Sequence, residues 1–316
     1  MLANTTLFVC LLTIIPIDSA SSQVTDYIYW VEPTKIRRAN LDGTGSQDLV
    51  TGFSDGTGIA LDLTNNHIYW LVEYGVSGKI RRANIDGSDP QDHITGVALG
   101  IDIALDITNG HIYWTNNGSS KIRRANIDGT NPQDHVTMGN SGEGIALDLI
   151  NNHIYWTEAS AKIRRANIDG SGVQDLISGV NGGRGIALDL TNNHIYWGEQ
   201  GSSKIRRANL DGTGVQDLIT GVTQSRGITL DVTNNHIYWT ESSSSSSKIR
   251  RSNLDGSGVQ DHIPSVNQGE GIALAFGVSV NSSSASDTVR YVPFKSEYIL
   301  MVLMAVLGGW LILRRG

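Results

Sequence analysis

Histidines, aspartates and arginines recur at regular intervals along this chain, and each set suggests a different chemistry. A histidine cluster is a common metal-binding arrangement, and one recurrent position holds His67, His111, His153, His194 and His236. Carboxylates could bind calcium, and aspartates recur at Asp62, Asp106, Asp148, Asp189 and Asp231. Paired arginines, from Arg37-Arg38 to Arg250-Arg251, could bind an anion. Whether any set converges on one ligand depends on the elements that carry it.

These residues belong to a sequence repeat. The tripeptide Ile-Tyr-Trp occurs six times at spacings of 40 to 44 residues, ending at Trp30, Trp70, Trp114, Trp156, Trp197 and Trp239. One unit, residues 144–179, contains four short strand-like segments separated by Asn151-Asn152, a small polar turn and Asp169-Gly170. A four-stranded unit with this period predicts an all-β fold, the β-propeller.

The two ends of the repeat region are complementary. The first repeat opens at Tyr27 without the Gly-Ile-Ala-Leu-Asp strand that precedes the others, and the last ends with a surplus copy at residues 271–276. Exchange of this strand would close the ring and remove its free edges. We therefore predict a six-bladed β-propeller of four-stranded antiparallel blades over residues 24–278, closed by the C-terminal strand.

The repeats resemble the YWTD repeats, or class B repeats, of proteins of the low-density-lipoprotein-receptor type. The resemblance covers residues 27–277 and rests on six copies in phase. The third motif position is Thr in three copies, and the fourth is never Asp: it is Glu32, Val72, Asn116, Glu158, Glu199 and Glu241. The resemblance implies a six-bladed propeller that binds extracellular proteins.

The propeller geometry gives each recurrent set a structural interpretation. Equivalent positions in six blades are related by rotations of about 60°, so the histidines lie on a wide ring and cannot meet at one ion. The arginines are distributed one pair per blade, and we expect them to meet carboxylates such as Asp42 or Asp169. The recurrent aspartates precede Asn-rich turns and should cap them. We expect no metal and no cofactor, and no nucleophile, zinc or phosphate-loop motif occurs.

Positions where the copies disagree are the candidates for specific function. The residues just before each inner strand should surround one mouth of the central channel: Thr57, Ile101, Glu143, Arg184, Arg226 and Glu270. Asp102 and the neighbouring Asp55, Asn140 and Gln224 add polar character. A concave site of mixed charge suits a peptide, a glycan or a small polar ligand, and the two arginines favour an acidic or zwitterionic one. The alternative is that these mouth residues are solvated loop residues without a specific function.

The chain ends predict export and anchoring. Residues 1–22 contain an apolar run and are predicted to be a signal peptide, with a retained anchor as the alternative; the run carries the only cysteine, Cys10. A Ser-rich linker, 279–291, precedes a C-terminal transmembrane anchor, 292–316, whose apolar stretch ends at Arg314-Arg315. This tail resembles bacterial PEP-CTERM and IPTL-CTERM sorting signals; a plain single-pass anchor and a GPI signal are alternatives. The net charge of −7, without a basic stripe, argues against nucleic acid as a partner.

The sequence favours a non-enzymatic, surface-displayed binding module. Its expected partners are an extracellular protein, a glycan or a small polar ligand, and the membrane through the C-terminal helix. Two alternatives remain open. One is a calcium-dependent hydrolase or lactonase of the six-bladed type, and the other is a purely structural surface protein.

Overall fold

The computed structural model describes residues 23–72, 75–243, 247–280 and 290–291. These residues form six antiparallel sheets, so the predicted six-bladed propeller of four-stranded blades is confirmed. Two short 3₁₀ turns, Gly75–Ser77 and Asn117–Ser119, lie within blades 2 and 3.

The strands follow in chain order. Blade 1 holds β1 (Gln23–Glu32), β2 (Lys35–Asn40) and β3 (Gln47–Thr51). Blade 2 holds β4 (Gly56–Asp62), β5 (His67–Val72), β6 (Gly78–Asn84) and β7 (Gln91–Val97). Blade 3 holds β8 (Gly100–Asp106), β9 (His111–Asn116), β10 (Lys121–Asn126) and β11 (Gln133–Thr137).

The second half of the ring repeats this order. Blade 4 holds β12 (Gly142–Asp148), β13 (His153–Glu158), β14 (Lys162–Asn167) and β15 (Gln174–Ser178). Blade 5 holds β16 (Gly183–Asp189), β17 (His194–Glu199), β18 (Lys204–Asn209) and β19 (Gln216–Thr220). Blade 6 holds β20 (Ser225–Asp231), β21 (His236–Glu241), β22 (Ser247–Asn253) and β23 (Gln260–Val266), and β24 (Ile272–Val280) and β25 (Arg290–Tyr291) follow.

The ring closes as predicted. Strand β24 pairs antiparallel with β1, with Ile28 opposite Leu274 and Trp30 opposite Ile272, and so becomes the innermost strand of blade 1. The pairing continues beyond the blade to Gln23 opposite Val280, and β25 adds to the far edge of β24. The described pairing therefore ends with Gln23 beside Val280, at the C-terminal end of β24.

The repeated residues fix the turns. Asp62 Oδ1 accepts a hydrogen bond from the backbone N–H of Asn65 at 2.9 Å, and Asp62 Oδ2 accepts one from the Asn65 amide at 2.7 Å. The next residue, Asn66, has a φ of 57°, a left-handed conformation that asparagine tolerates well. The recurrent aspartates therefore cap the turns, and the same paired bonds are made by Asp106, Asp148, Asp189 and Asp231.

The hydrophobic core lies between blades. All six repeat tryptophans and their preceding tyrosines are at most 1% exposed. One cluster joins Tyr155 and Ile163 of blade 4 to Ile195 and Trp197 of blade 5. Since each blade buries its surface only against its neighbours, the closed ring is what completes the core.

The predicted signal peptide, residues 1–22, and the predicted anchor, residues 292–316, lie outside the described residues. Within the described part of the chain, no helix has the length and apolar character needed to cross a membrane. The predicted linker contributes its ends to β24 and β25.

Candidate functional site

The start of the inner strands surrounds a cavity of about 150 Å³ at one end of the central channel. Three consecutive residues from each blade line it. The outermost set is Thr57, Ile101, Glu143, Arg184, Arg226 and Glu270, and the innermost set is Ile59, Ile103, Ile145, Ile186, Ile228 and Ile272. The structure thus brings together all six residues predicted before the inner strands, and Asp102 with them. Asp55, Asn140 and Gln224, by contrast, do not line the cavity.

Glycine fills five of the six positions between these two sets because the inner strands approach closely. A Cβ on Gly144 would lie 2.7 Å from the Arg184 carbonyl oxygen, and one on Gly271 would lie 2.8 Å from the Thr57 carbonyl oxygen. Both distances are too short for real contacts, so these two positions require glycine. The exception in this set is Asp102.

Threonine side chains hold the mouth backbone in place. The N–H of Gly144 donates to Thr157 Oγ1 at 2.9 Å, and Thr157 Oγ1 donates to the Arg184 carbonyl of the next blade at 2.7 Å. Thr240 makes the same link between Gly227 and the Glu270 carbonyl. These are the threonines of the third motif position, and the repeat pattern alone carries no signal that connects them to the site.

Four neighbouring blades give the mouth a charged sector. Arg184 Nη1 lies 2.5 Å from Glu143 Oε2 of the preceding blade. Its Nε and Nη2 donate to Gln200 Oε1 at 2.9 and 2.6 Å. Arg226 is held more loosely, with its Nε 3.8 Å from Glu270 Oε1. The order around the ring is therefore acid, base, base, acid, with the two guanidinium groups on consecutive blades.

The remaining sector is uncharged at its rim. Thr57 donates through Oγ1 to the Gly100 carbonyl of the next blade at 3.1 Å, and Ile101 follows at the same level. The mouth can therefore present an apolar and hydroxyl surface on one side and a pair of guanidinium groups on the other. This division suits an amphipathic ligand that carries an anionic group.

Asp102 places a carboxyl in the wall of this cavity. Its Oδ1 accepts from the N–H of Ile103 at 2.9 Å and its Oδ2 from the N–H of Ile145, in blade 4, at 3.0 Å. Burial among protein atoms raises the pKa of Asp102 to about 7; the two N–H bonds oppose this rise, and the nearby Glu143 carboxylate adds to it. Near neutral pH this carboxyl therefore exists in both protonation states.

The other candidate sets have structural roles. The rings of the five recurrent histidines contact the tyrosine two residues later edge to face, at 6.1 to 6.2 Å between centroids. Burial lowers the pKa of each, as for His67. Among the described residues, no three His, Cys, Asp or Glu side chains form a cluster that could hold a metal ion.

The arginine pairs face the aromatic residues of their own blades, and the predicted carboxylate partners are wrong. Arg164 lies over the Trp156 ring and pairs through Nε with Asp175 at 2.9 Å. Asp169 instead accepts from the backbone N–H and hydroxyl of Ser171, at 2.9 and 2.7 Å. The hairpin turn holds Asp169 against its own backbone, and Asp42 is held in the same way by Thr44.

Comparison with solved structures supports the fold. A chain of the crystal structure of a nidogen/laminin complex matches with a TM-score of 0.72 and 22% identity, over 80% of this chain and 99% of that one. TolB from Acinetobacter baumannii matches with a TM-score of 0.65 and 13% identity, over 79% of this chain and 66% of that one. A putative TolB from Agrobacterium tumefaciens matches with a TM-score of 0.62 and 12% identity, over 86% of this chain and 100% of that one.

No protein-family model matches the chain. No curated protein matches it significantly.

Proposed function

We propose that this chain is a non-enzymatic binding module whose channel mouth holds an acidic or zwitterionic group of an extracellular partner. The observation that carries the proposal is the pair of guanidinium groups, Arg184 and Arg226, on consecutive blades of one cavity. Their flanking carboxylates, Glu143 and Glu270, set their positions and offer partners for a cation of the same ligand.

The comparison with solved structures agrees with a protein partner. The neighbour with a TM-score of 0.72 comes from a complex of nidogen with laminin. Together with the repeat pattern, this supports the proposal that the chain is a YWTD-type propeller that recognises another protein. A glycan or small polar ligand with a carboxylate or sulfate would satisfy the same cavity.

We also propose that the protein is exported and held at the cell surface through residues 292–316, with or without cleavage by a sorting enzyme. The support comes from the apolar runs near both ends and from Arg314-Arg315. The intact mass of the purified protein tests this, because export predicts loss of about the first 20 residues. A cytosolic product that keeps Met1 contradicts it.

Binding to the mouth can be tested with a defined probe. The probe is an end-blocked peptide with a central Asp, compared by calorimetry with its Asn analogue. We expect the Asp peptide to bind the full-length protein more tightly. Arg184→Ala with Arg226→Ala should weaken that binding about 30-fold or more, which corresponds to about 2 kcal/mol. The melting temperature should change little, because both side chains are partly exposed.

The same two blades provide the control. Lys204→Ala with Lys248→Ala removes two positive charges from blades 5 and 6 at exposed pairs with Asp217 and Asp261. This variant should bind the Asp peptide like the wild type. Equal weakening by both double variants would show a general charge effect. If only the variant with Arg37→Ala and Arg38→Ala lost binding of the Asp peptide, the binding site would lie at the blade edge and not at the mouth.

A further inference from the structure

Four blades share a buried acceptor for the repeat tryptophan. In blade 4, Glu158 Oε1 accepts from Trp156 Nε1 at 2.8 Å and lies 3.4 Å from Arg164 Nη1. The distances from the carboxylate to the indole nitrogen are 2.9 to 3.0 Å in blades 1, 5 and 6, and those to the arginine are 3.2 to 3.7 Å. One carboxylate oxygen therefore serves both an indole and a guanidinium group.

Blade 3 keeps both donors and lacks the carboxylate. Arg123 lies over the Trp114 ring at 5.6 Å, within the range of 5.4 to 5.8 Å found in the other four blades. The fourth motif residue is Asn116, one methylene shorter than Glu, and its amide turns to Ser119 Oγ at 2.8 Å. Trp114 is 0% exposed, and its Nε1 has no hydrogen-bond acceptor among the described residues.

The local charge is also unbalanced in blade 3. At this corner of blade 4, two cations, Lys162 and Arg164, face two carboxylates, Glu158 and Asp175. In blade 3, Arg123 pairs with Asp134 at 3.2 Å, while Lys121 donates to the Thr137 hydroxyl instead. Blade 3 thus has one carboxylate for two cations at this corner, and only Arg123 pairs with it. A water molecule would satisfy the indole but would leave this charge uncompensated.

Asn116 can supply a third donor. Its Oδ1 is buried without a partner among the described residues. The oxygen and nitrogen of an amide are interchangeable by a 180° rotation, which would let the Ser119 hydroxyl donate to Oδ1 and turn Nδ2 toward the indole. Asn116 Nδ2 would then be a buried donor without an acceptor among the described residues, as Trp114 Nε1 is.

We propose that blade 3 binds a small monovalent anion, such as chloride, between Trp114 Nε1, the Arg123 guanidinium group and the Asn116 amide. The anion takes the part that the Glu158 carboxylate plays in blade 4. The proposal is confined to blade 3. Trp70 Nε1 of blade 2 also lacks an acceptor among the described residues, but residues 73–74 that follow its motif lie outside them.

Bromide locates the site directly. Crystals of the full-length protein soaked in sodium bromide should show an anomalous peak beside Trp114 Nε1 and none beside Trp156 Nε1. Crystals of Asn116→Glu, which supplies the carboxylate of the other blades, should lose the peak. Density for water alone beside Trp114, without bromide signal, overturns the proposal.

Thermal unfolding gives a second readout that needs no crystals. Replacing sodium gluconate by sodium chloride at constant ionic strength should raise the melting temperature of the wild type by about 2 °C or more, since the folded state alone binds the ion. Asn116→Glu should show no such rise and should melt above the wild type in gluconate. An equal rise in both proteins contradicts a site at Asn116. If Asn116→Glu fails to fold, Trp114→Phe, which removes the indole donor, replaces it in this comparison.

Discussion

Asp102 differs from its counterparts in the other blades because it carries a side chain where they have glycine. Its carboxyl reaches from blade 3 to the N–H of Ile145 in blade 4, and burial raises its pKa to about 7. A raised pKa means that the carboxyl gains a proton as the pH falls through about 7, where an ordinary aspartic acid stays ionised. The mouth therefore loses one negative charge in the neutral range.

Replacing Asp102 by Asn should remove a pH dependence from the mouth. In the wild type, the end-blocked Asp peptide should bind up to about tenfold more tightly at pH 6 than at pH 8, because protonation removes a negative charge from the wall of the cavity that the peptide carboxylate enters. Asp102→Asn should bind almost equally at both values. Calorimetry at pH 6, 7 and 8 measures this. No histidine is among the described residues that line the cavity, so a dependence that persists in the variant would contradict the assignment of the pH effect to Asp102.

At the scale of single residues, the sequence predicted which side chains meet at the mouth but not how they are held. Positions that disagree between copies gave the six residues, because repeat geometry places equivalent positions at equal height. Gln200, which holds two nitrogens of Arg184, lies in a turn outside the repeated motif and carries no periodic signal. The reach of Asp102 into the next blade depends on strand separation, which one sequence does not report.

At the scale of strands, neighbouring blades compensate for each other's side-chain volume. Gly198 stands at the third motif position of β17, where other blades carry larger residues, and Ser225 opens β20 where the others have glycine. A Cβ on Gly198 would lie 2.3 Å from Ser225 Oγ. The mirror contact occurs elsewhere, since a Cβ on Gly183 would lie 3.3 Å from Thr157. Between blades 4 and 5 the larger residue is thus Thr157 on β13, whereas between blades 5 and 6 it is Ser225 on β20.

A double-mutant cycle should expose this compensation. Gly198→Thr alone should lower the free energy of unfolding by about 1–3 kcal/mol through overpacking against Ser225. Ser225→Gly alone should cost less, because its hydroxyl is buried without a partner among the described residues. The double variant reproduces the combination of Thr157 in blade 4 with Gly183 in blade 5 and should be nearly as stable as the wild type. Urea unfolding of the four proteins gives the coupling energy. Additive effects would show that the two strands do not share one space.

The strands themselves were predictable because six copies repeat one set of turn and strand signals. Asn151-Asn152 and Asp169-Gly170 fixed the turn positions within a unit. The exchange of volume between Gly198 and Ser225 was not predictable, because it joins two residues of different repeats that only the closed ring brings together.

At the scale of the whole molecule, each blade presents one outer strand edge to solvent. In blade 1 the pairing of β2 with β3 shifts between Ile36 and Arg37, a β-bulge, and the same shift recurs in every blade. Lys35 and Asp48 place charges at this edge. Bulges and charges both discourage pairing with another chain. The inner edge of blade 1 has no such protection and depends on β24.

Removing β24 should therefore open the ring. The strand supplies the partners of Tyr27, Ile28, Tyr29 and Trp30, and its Ala275, Val278 and Ile272 are buried in the clusters that join blade 1 to its neighbours. A chain that ends at Glu270 should lose cooperative unfolding or aggregate, because it exposes an unprotected edge and two cut faces of the core. A chain that ends at Val280 keeps β24 and provides the matched control, which should melt cooperatively like the full-length protein. Calorimetry and light scattering on the two truncated proteins distinguish these outcomes. If both melt alike, the exchanged strand is not what closes the propeller.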